Sequence, residues 1–268
     1  MKKALRTIWL ALVLAFIYIP ILVLAVYSFT DASMVGTGIS AFSFENYINL
    51  FKKDELRSMI LGTVLLALIC ACISTVLATL GAIGTFYSKK LPKTLINTAN
   101  QIPIVNADIV TGFSICILLI VIMRVSKDTF IPLGIGHIVI TAPFVYLSIL
   151  PKLKQMDNGL YEAALDLGAT PAQALFKVVI PQLIPGILSG FMLAVTLSLD
   201  DYFVTTYTKP STFDTISTYV VNATKGSQTE TKTALWALST LIFLIVVTIV
   251  IVMNVLSGKK KGVKNEKD

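Results

Sequence analysis

Residues 162–181 read EAALDLGATPAQALFKVVIP, a polar interruption in a chain dominated by long apolar segments. Small and apolar residues recur at helical spacing in the first half, and Gly168 suits the left-handed position that follows a helix. Thr170 then opens the sequence TPAQ, which has the form of a capping box with proline at the first helical position. Proline breaks a helix that it enters, so Pro181 is expected to end the second helix. The stretch therefore predicts a helix, a sharp turn and a second helix.

The two acidic residues of this element lie on one face of its first helix. Glu162 and Asp166 are one turn apart, and the adjacent Ala163 and Ala164 leave room for another backbone to approach closely. A helix that lies on a membrane surface favours Lys and Arg on its polar face, whereas this element offers two acids and the single Lys177. The composition favours a docking element over the alternative, an amphipathic loop on the membrane surface.

The composition of the whole chain is that of a membrane protein. The 268 residues are 55% hydrophobic and only 14% charged, and the mean hydropathy is +0.81. A helix needs about 20 apolar residues to cross roughly 30 Å of hydrocarbon, and isolated strands cannot satisfy their backbone there. We therefore predict an all-α integral membrane protein with six spans in a single transmembrane domain, residues 1–268. The predicted spans are about 8–28, 59–87, 96–123, 131–151, 186–208 and 234–257.

The distribution of Lys and Arg predicts the orientation of these spans. The first apolar segment follows basic residues as a signal peptide does, but its apolar run extends to Tyr27 and exceeds the roughly 7–15 residues of a signal core. We interpret it as a span. Basic residues then concentrate on the N-terminal side of the membrane: Lys2, Lys3, Arg6, Lys89, Lys90, Lys93, Lys152, Lys154, Lys177, Lys259, Lys260, Lys261, Lys264 and Lys267. Both termini and residues 162–181 are therefore predicted to be cytoplasmic.

Several kinds of chemistry have no support in the sequence. Cys70, Cys72 and Cys116 fall inside spans and suit apolar packing, and the lone His137 gives a metal ion no second imidazole. No GxxxxGK[ST] phosphate-binding loop occurs, and no cluster of nucleophile and base stands out. The net charge of +7 reflects the topology signal, without a basic stripe for nucleic acid. We predict no catalytic residue, metal site or cofactor in this chain, and no nucleic-acid partner.

Three carboxylates fall inside predicted spans: Asp108 in the third, and Asp200 and Asp201 in the fifth. A charge at such a position costs about 2.5–3.5 kcal/mol on insertion scales, so these residues usually face a cavity or a partner. No Lys or Arg lies in the membrane core to pair with them. A cationic substrate is the natural complement, and the three residues are candidates for its path.

In a continuous fifth helix, Asp200, Phe203 and Tyr207 share one stripe. A carboxylate flanked by aromatic faces suits an ammonium group, with a cation–π attraction of roughly 0.5–2 kcal/mol. Phe203 and Tyr207 are therefore further candidates for the substrate path. The alternatives are that the aromatic residues form an interfacial belt, and that the Asp pair caps a helix break or binds a partner subunit.

The polar interruption resembles a known motif. Glu162-Ala163-Ala164, Gly168 and Pro181 match the cytoplasmic EAA loop of permease subunits of bacterial ABC importers, whose signature is EAA, three residues, G, nine residues and I-x-L-P. The chain departs from it by Val178 for Ile and Ile180 for Leu. The resemblance implies a type I importer permease in which residues 157–181 dock into a separate ATPase subunit. The implied coupling residues are Glu162, Ala163, Ala164, Asp166, Gly168 and Pro181.

Further segments resemble the permease subunits of spermidine/putrescine importers in particular. These are NADIV at 106–110, APF at 142–144, EAALDLGAT at 162–170 and SLDDYFVTTYTKP at 198–210. The resemblance implies a bacterial inner-membrane subunit, surrounded by lipid, with three partners: a second homologous permease, an ATPase dimer that binds ATP and Mg²⁺, and an extracytoplasmic polyamine-binding protein. Family members tend to carry proline where this chain has Ala107, which leaves open whether the third span is broken at Asp108.

Two other functions are compatible with the sequence. A permease of the same architecture for another solute, such as ferric iron or thiamine, would keep the EAA loop but has no need of three unpaired acids. An ion-coupled secondary transporter would use Asp108, Asp200 and Asp201 as proton or sodium sites, and it has no use for the EAA loop.

Overall fold

The structure is a computed structural model that describes residues 2–30, 42–52, 54–157, 159–225, 236–244 and 247–248. In chain order the helices are α1 (Lys2–Ser28), α2 (Glu45–Lys52), α3 (Asp54–Tyr87), α4 (Lys90–Val105), α5 (Asp108–Cys116), α6 (Ile131–Gln155), α7 (Gly159–Asp166), α8 (Pro171–Ala174), α9 (Ile180–Asp200), α10 (Phe203–Thr208) and α11 (Ile216–Lys225). Two π-helical segments, Ile117–Ile122 and Leu175–Val179, follow α5 and α8. The predicted helical fold class is confirmed.

Four helical runs in the described residues are long and apolar enough to cross a membrane, and a bent pair makes a fifth. The runs are Arg6–Ser28, Leu56–Tyr87, Ile131–Gln155 and Pro171–Asp200. They correspond to the first, second, fourth and fifth predicted spans. The predicted sixth span, 234–257, lies mostly outside the described residues, although 236–244 is helical.

The third predicted span, 96–123, is broken, which is the question that the sequence left open. α4 and α5 meet at 107°, because Asn106 and Ala107 leave the helical region, with ψ angles of 146° and 136°. The side-chain amide of Asn106 donates a hydrogen bond to Thr111 Oγ1 at 3.0 Å, which ties the turn to the first part of α5. The break therefore falls immediately before Asp108 and needs no proline at position 107.

The fifth predicted span, 186–208, is also broken, which is the alternative that the sequence left open beside a continuous helix. α9 ends at Asp200, and Asp201 adopts an extended conformation with ψ 122°. α10 begins at Phe203 and runs only to Thr208. Both bent spans thus have a carboxylate at the break, which is a placement that periodicity alone does not reveal.

Pro181 does not end the second helix of the polar element, contrary to the prediction. The Ile180 N–H donates to the Leu175 carbonyl, five residues back, so the turn before the proline is a widened π turn. A widened turn moves the backbone carbonyls away from the proline ring, which would otherwise clash with one of them. The chain therefore continues through Pro181 into α9.

The two compact units of the chain are residues 59–218 and residues 1–58 with 219–268. In the second of these, Tyr27 packs edge-on against Trp236 with 5.6 Å between ring centroids. The side-chain amide of Asn46 also donates to the Ser28 and Thr30 carbonyls at 3.2 and 3.0 Å. These contacts join the end of α1 to α2 and to the helical segment 236–244.

The unit 59–218 is built on close packing between α6 and α9. Small residues on α9 permit this contact: a Cβ at Gly190 would lie 2.9 Å from Val145 Cγ1 and 3.1 Å from Val145 Cα. A Cβ at Gly186 would lie 3.0 Å from the Ser148 carbonyl oxygen. Gly186 and Gly190, one turn apart in the fifth span, therefore serve a contact within the chain.

α3 completes the core of this unit. Its Ala71, Ala78 and Ala82 are buried with side chains of α6 and α9 in one apolar cluster. A hydrogen bond of 2.6 Å joins the hydroxyls of Ser74 on α3 and Thr141 on α6. The core thus fixes three helices around the base of the polar element and both helix breaks.

We expect Gly190→Ala to lower the thermal unfolding midpoint of the chain in detergent. The added methyl has no room beside Val145, and overpacking of this kind costs about 1–3 kcal/mol. Gly134→Ala on α6 is the matched control, because no atom lies within 4 Å of its Cβ position; alanine there should be neutral or stabilising. Equal midpoints for the two variants would contradict the close α6–α9 packing.

Candidate functional site

The polar element is a helix, a tight turn and a second helix, as predicted. Asp157 Oδ1 accepts a hydrogen bond from the Gly159 N–H at 2.9 Å where α7 begins. α7 ends at Asp166, and Gly168 follows it with φ +86°. The Gly168 N–H donates to the Leu165 carbonyl at 2.9 Å and the Ala169 N–H to the Ala164 carbonyl at 3.0 Å. This bond pair is a Schellman motif, and it requires the left-handed conformation that glycine adopts without strain.

The second helix of the element starts at once. The Gln173 N–H donates to Thr170 Oγ1 at 3.3 Å, and the Thr170 N–H donates to Gln173 Oε1 at 3.0 Å. Pro171 follows Thr170 at the first helical position. The predicted capping box is therefore confirmed in both directions, and only two residues separate Gly168 from the new helix.

The inner side of this element is anchored to the core of its unit. Leu160, Tyr161 and Leu175 pack against the buried cluster of α3, α6 and α9. The Tyr161 ring lies 5.2 Å from the ring of Tyr87 at the end of α3. Residues 159–176, which we call the knob, are thus held as a fixed projection by contacts and capping together.

The outer side of the knob combines acids with exposed apolar groups. Glu162, Ala163 and Asp166 are exposed, Leu167 is 89% exposed and Phe176 is 64% exposed. Large apolar side chains on an otherwise polar projection indicate a surface that binds another molecule. The remaining predicted coupling residues differ in position: Ala164 is half-buried, and Pro181 is exposed at the start of α9.

The second group of predicted residues lies at the two helix breaks. Asp108 is the exposed first residue of α5, and Asp200 is the exposed last residue of α9. Neither carboxylate has a hydrogen-bond or ion-pair partner among the residues that the structure describes. An exposed carboxylate at a break in an apolar helix is suited to bind a cation.

Asp201 has a different environment from its neighbour. Its side chain is only 6% exposed. Its carboxylate accepts hydrogen bonds from the backbone N–H of Val204 at 3.3 Å and of Thr205 at 2.7 Å, and from Thr205 Oγ1 at 2.7 Å. Asp201 therefore caps the first turn of α10, which is the alternative that the sequence left open for this pair.

The break also separates the aromatic residues from Asp200. The predicted stripe of Asp200, Phe203 and Tyr207 is wrong, because it required one continuous helix. Phe203 is exposed beside Tyr202, with 5.3 Å between ring centroids. Tyr207 is half-buried and packs edge-on against Phe113 of α5 at 5.7 Å. Tyr207 thus joins two short helices.

α10 is wedged between α5 and α6. A Cβ at Gly112 of α5 would lie 2.9 Å from Val204 Cα, and one at Gly136 of α6 would lie 2.6 Å from Val204 Cγ1. Sequence reasoning also assigned no role to His137 of α6, which is fully buried and within hydrogen-bond distance of Ser198 and Thr205. The available signal was a polar residue in an apolar span with no metal partner.

The comparison with protein families gives one match over most of the chain. Residues 79–262 match the family described as binding-protein-dependent transport system inner membrane component. Among similar proteins is the spermidine/putrescine transport system permease protein PotC of Haemophilus influenzae, 28% identical, with 95% of this chain and 97% of the relative covered. PotC of Escherichia coli K12 is 26% identical, with 97% of each covered. The putrescine transport system permease protein PotI of the same strain is 29% identical, covering 75% of this chain and 73% of the relative.

The fold is also similar to that of solved transporters. A chain from a bacterial ABC transporter involved in the import of the acidic polysaccharide alginate matches with a TM-score of 0.75. The two chains are 17% identical, and the match covers 96% of this chain and 95% of the other. The alginate transporter in complex with an alginate pentasaccharide-bound periplasmic protein gives a TM-score of 0.70 at 17% identity, with 96% and 93% covered. Identities this low describe the fold alone.

We expect Gly168→Ala to loosen the knob. The space at Gly168 is open, so the effect comes from the left-handed backbone alone, which costs residues with a Cβ roughly 1–2 kcal/mol. Amide hydrogen exchange of Ala169, whose N–H closes the Schellman motif, should become faster. Gly168→Asn is the control, since asparagine tolerates this conformation better. Unchanged exchange in the alanine variant would contradict the role of the turn.

Proposed function

The chain belongs to the family of binding-protein-dependent transport system inner membrane components, and from this premise we propose that it carries spermidine/putrescine-class polyamines through an ATP-driven importer. It is a multi-pass inner-membrane permease, and its proposed role is transport without catalysis. The observation that carries the proposal is that Asp108 and Asp200 are exposed at two helix breaks, with no partner for either carboxylate in the described part of the chain.

The chemistry of the substrate fits these carboxylates. Polyamines are chains of ammonium groups joined by methylenes, so two separate anionic sites match their charge distribution. The relatives named as spermidine/putrescine permeases cover nearly the full chain, which supports the same substrate class. The half-exposed ring of Phe203 offers a cation–π contact beside the second break.

The knob supplies the coupling in this proposal. Glu162, Asp166 and the exposed Leu167 would seat in an ATPase subunit, which binds ATP and Mg²⁺ and carries out hydrolysis. The support is physical: the knob is rigid on its inner side and has acids and exposed apolar groups on its outer side. This chain would need no cofactor of its own.

The remaining partners follow from the same proposal. Each chain has one knob, so an ATPase dimer with two docking clefts requires a second, homologous permease. The solved alginate transporter, similar in fold, is in complex with a periplasmic protein, and we propose a polyamine-binding protein on the corresponding outer face of this chain. Under this proposal the knob and both termini lie in the cytoplasm, and the distribution of Lys and Arg supports this orientation.

The second candidate is a permease of this family for a different solute, which the knob supports equally well. An ion-coupled transporter is the weaker alternative, because it gives the knob no role. Uptake that requires the ATPase and the binding protein supports the family function, and uptake driven by an ion gradient contradicts it.

Glu162→Lys should release the ATPase and abolish uptake. The substitution reverses the charge at the centre of the outer face of the knob, while the exposed side chain contributes nothing to the core. Co-purification of the ATPase and uptake of radiolabelled spermidine and putrescine into vesicles with internal ATP are the measurements. Asp128→Lys, at an exposed acid between the third and fourth spans, is the control. Retention of the ATPase by the Glu162 variant would contradict coupling through the knob.

Asp200→Asn and Asp108→Asn should each reduce polyamine uptake about tenfold or more while the complex stays assembled. Removing one charge partner in a low-dielectric path costs on the order of 1.4 kcal/mol or more, which is a factor of ten. Asp128→Asn should leave uptake unchanged. If the assembled wild-type complex takes up no polyamine, the substrate is wrong although the permease family stands. If both variants transport normally, the carboxylates are not part of the path.

A further inference from the structure

A series of buried side-chain hydrogen bonds connects three helices of the unit 59–218 beside the second helix break. His137 of α6 is fully buried. Its Nδ1 lies 2.7 Å from Ser198 Oγ on α9, and its Nε2 lies 3.0 Å from Thr205 Oγ1 on α10. Thr205 Oγ1 in turn lies 2.7 Å from Asp201 Oδ2. We call these four residues the clasp; they connect three helices through side chains alone.

The direction of each hydrogen bond in the clasp follows from counting protons. An ionised carboxylate only accepts hydrogen bonds, so Thr205 must donate its single hydroxyl proton to Asp201. The Thr205 oxygen can then only accept from His137, which therefore carries its proton on Nε2. A neutral imidazole with that tautomer accepts at Nδ1, and Ser198 supplies the donor. Every polar group of the clasp is satisfied by this one arrangement.

The clasp includes residues on both sides of the break between α9 and α10. Ser198 lies one turn before Asp201, and Thr205 lies one turn after it. Ser217 Oγ also donates to the Asp201 backbone carbonyl, so this residue is bound through its main chain as well as its side chain. Asp200 lies between Ser198 and Asp201 of the clasp, yet its own carboxylate is exposed. The orientation of Asp200 therefore depends on a hydrogen-bond network that contains none of its own atoms.

We propose that His137 is a positioning residue, which with Ser198, Thr205 and Asp201 fixes the break between α9 and α10 and thereby presents Asp200 to the substrate. The inference rests on the proposed function for its consequence in transport. The two adjacent aspartates then have different roles, since Asp201 belongs to the clasp and Asp200 contacts the cationic substrate. His137 takes no part in binding the substrate itself, because its ring is fully enclosed by protein.

A double-mutant cycle on the full chain in detergent tests the clasp without reference to substrate. His137→Leu and Thr205→Val should each lower the thermal unfolding midpoint by about 4 °C, as expected for the loss of a buried hydrogen bond. The double variant should fall no further than the larger single effect, because each change already breaks the same chain. Thr208→Val is the control partner: its hydroxyl is buried on the same short helix but bonds to the Val204 carbonyl. Additive effects of His137→Leu and Thr205→Val would overturn the clasp.

Transport per ATP tests the positioning role in the assembled complex. Thr205→Val should lower the number of polyamine molecules moved per ATP hydrolysed at least about fivefold, while ATPase activity stays within about twofold of wild type. Thr205→Ser, which keeps the hydroxyl, should restore the ratio, and Thr208→Val should not change it. Ser198→Ala provides a milder variant should Thr205→Val fail to assemble.

The outcomes separate the two proposals. Non-additive effects in the double-mutant cycle, together with fewer polyamine molecules moved per ATP in Thr205→Val, support both the clasp and its positioning role. Non-additive effects with an unchanged number per ATP overturn the positioning role, because the network then serves stability alone. If the wild-type complex moves no polyamine, the proposed function fails, and the cycle still decides whether the clasp exists.

Discussion

A backbone inside hydrocarbon must satisfy its own hydrogen bonds, and the architecture of this chain follows from how it meets that constraint. Continuous helices satisfy most of these groups within themselves, and α3, α6 and α9 run without interruption. Each place where a helix stops inside an apolar segment leaves free N–H and carbonyl groups. Such a stop persists only where side chains or neighbouring helices supply partners. The stops are therefore the informative positions of the molecule, since each one costs free energy that a continuous helix would avoid.

The two breaks near the carboxylates solve this problem in different ways. At the first, Asn106 bonds to Thr111, and Asp108 remains exposed in the first turn of α5, where the helix dipole favours a negative charge. At the second, the Asp201 carboxylate caps α10, and the exposed carboxylate is that of its neighbour Asp200. The same residue type therefore has two structural roles at adjacent positions. A buried, fully bonded carboxylate fixes geometry, while an exposed, unpaired one is free to bind.

Local chemistry determined what could be predicted from the sequence. The turn of the knob was predictable because Gly168 and the capping box act through bonds within a few residues. The breaks were predictable only as alternatives, because periodicity treats Asp200 and Phe203 as neighbours on one helix, and the sequence does not decide whether Asp201 is a cap or a ligand. The role of His137 required knowledge of which helices meet, since its partners lie 61 and 68 residues away in the chain. The expectation for Pro181 failed because a π turn, which the sequence pattern does not signal, accommodates the proline ring.

The knob and the second break are ends of one mechanical element. α9 begins beside the knob and ends at Asp200, and its 21 residues span about 30 Å at 1.5 Å per residue. At Gly186 and Gly190 this helix packs so closely on α6 that an added Cβ would lie 2.9 Å from a side-chain atom of α6. His137, also on α6, bonds to Ser198 near the far end of α9. A displacement applied at the knob would therefore reach the break through the packed pair of α6 and α9. Under the proposed function, this body links ATP-driven movement to the carboxylate that meets the substrate, without any contact between the two sites.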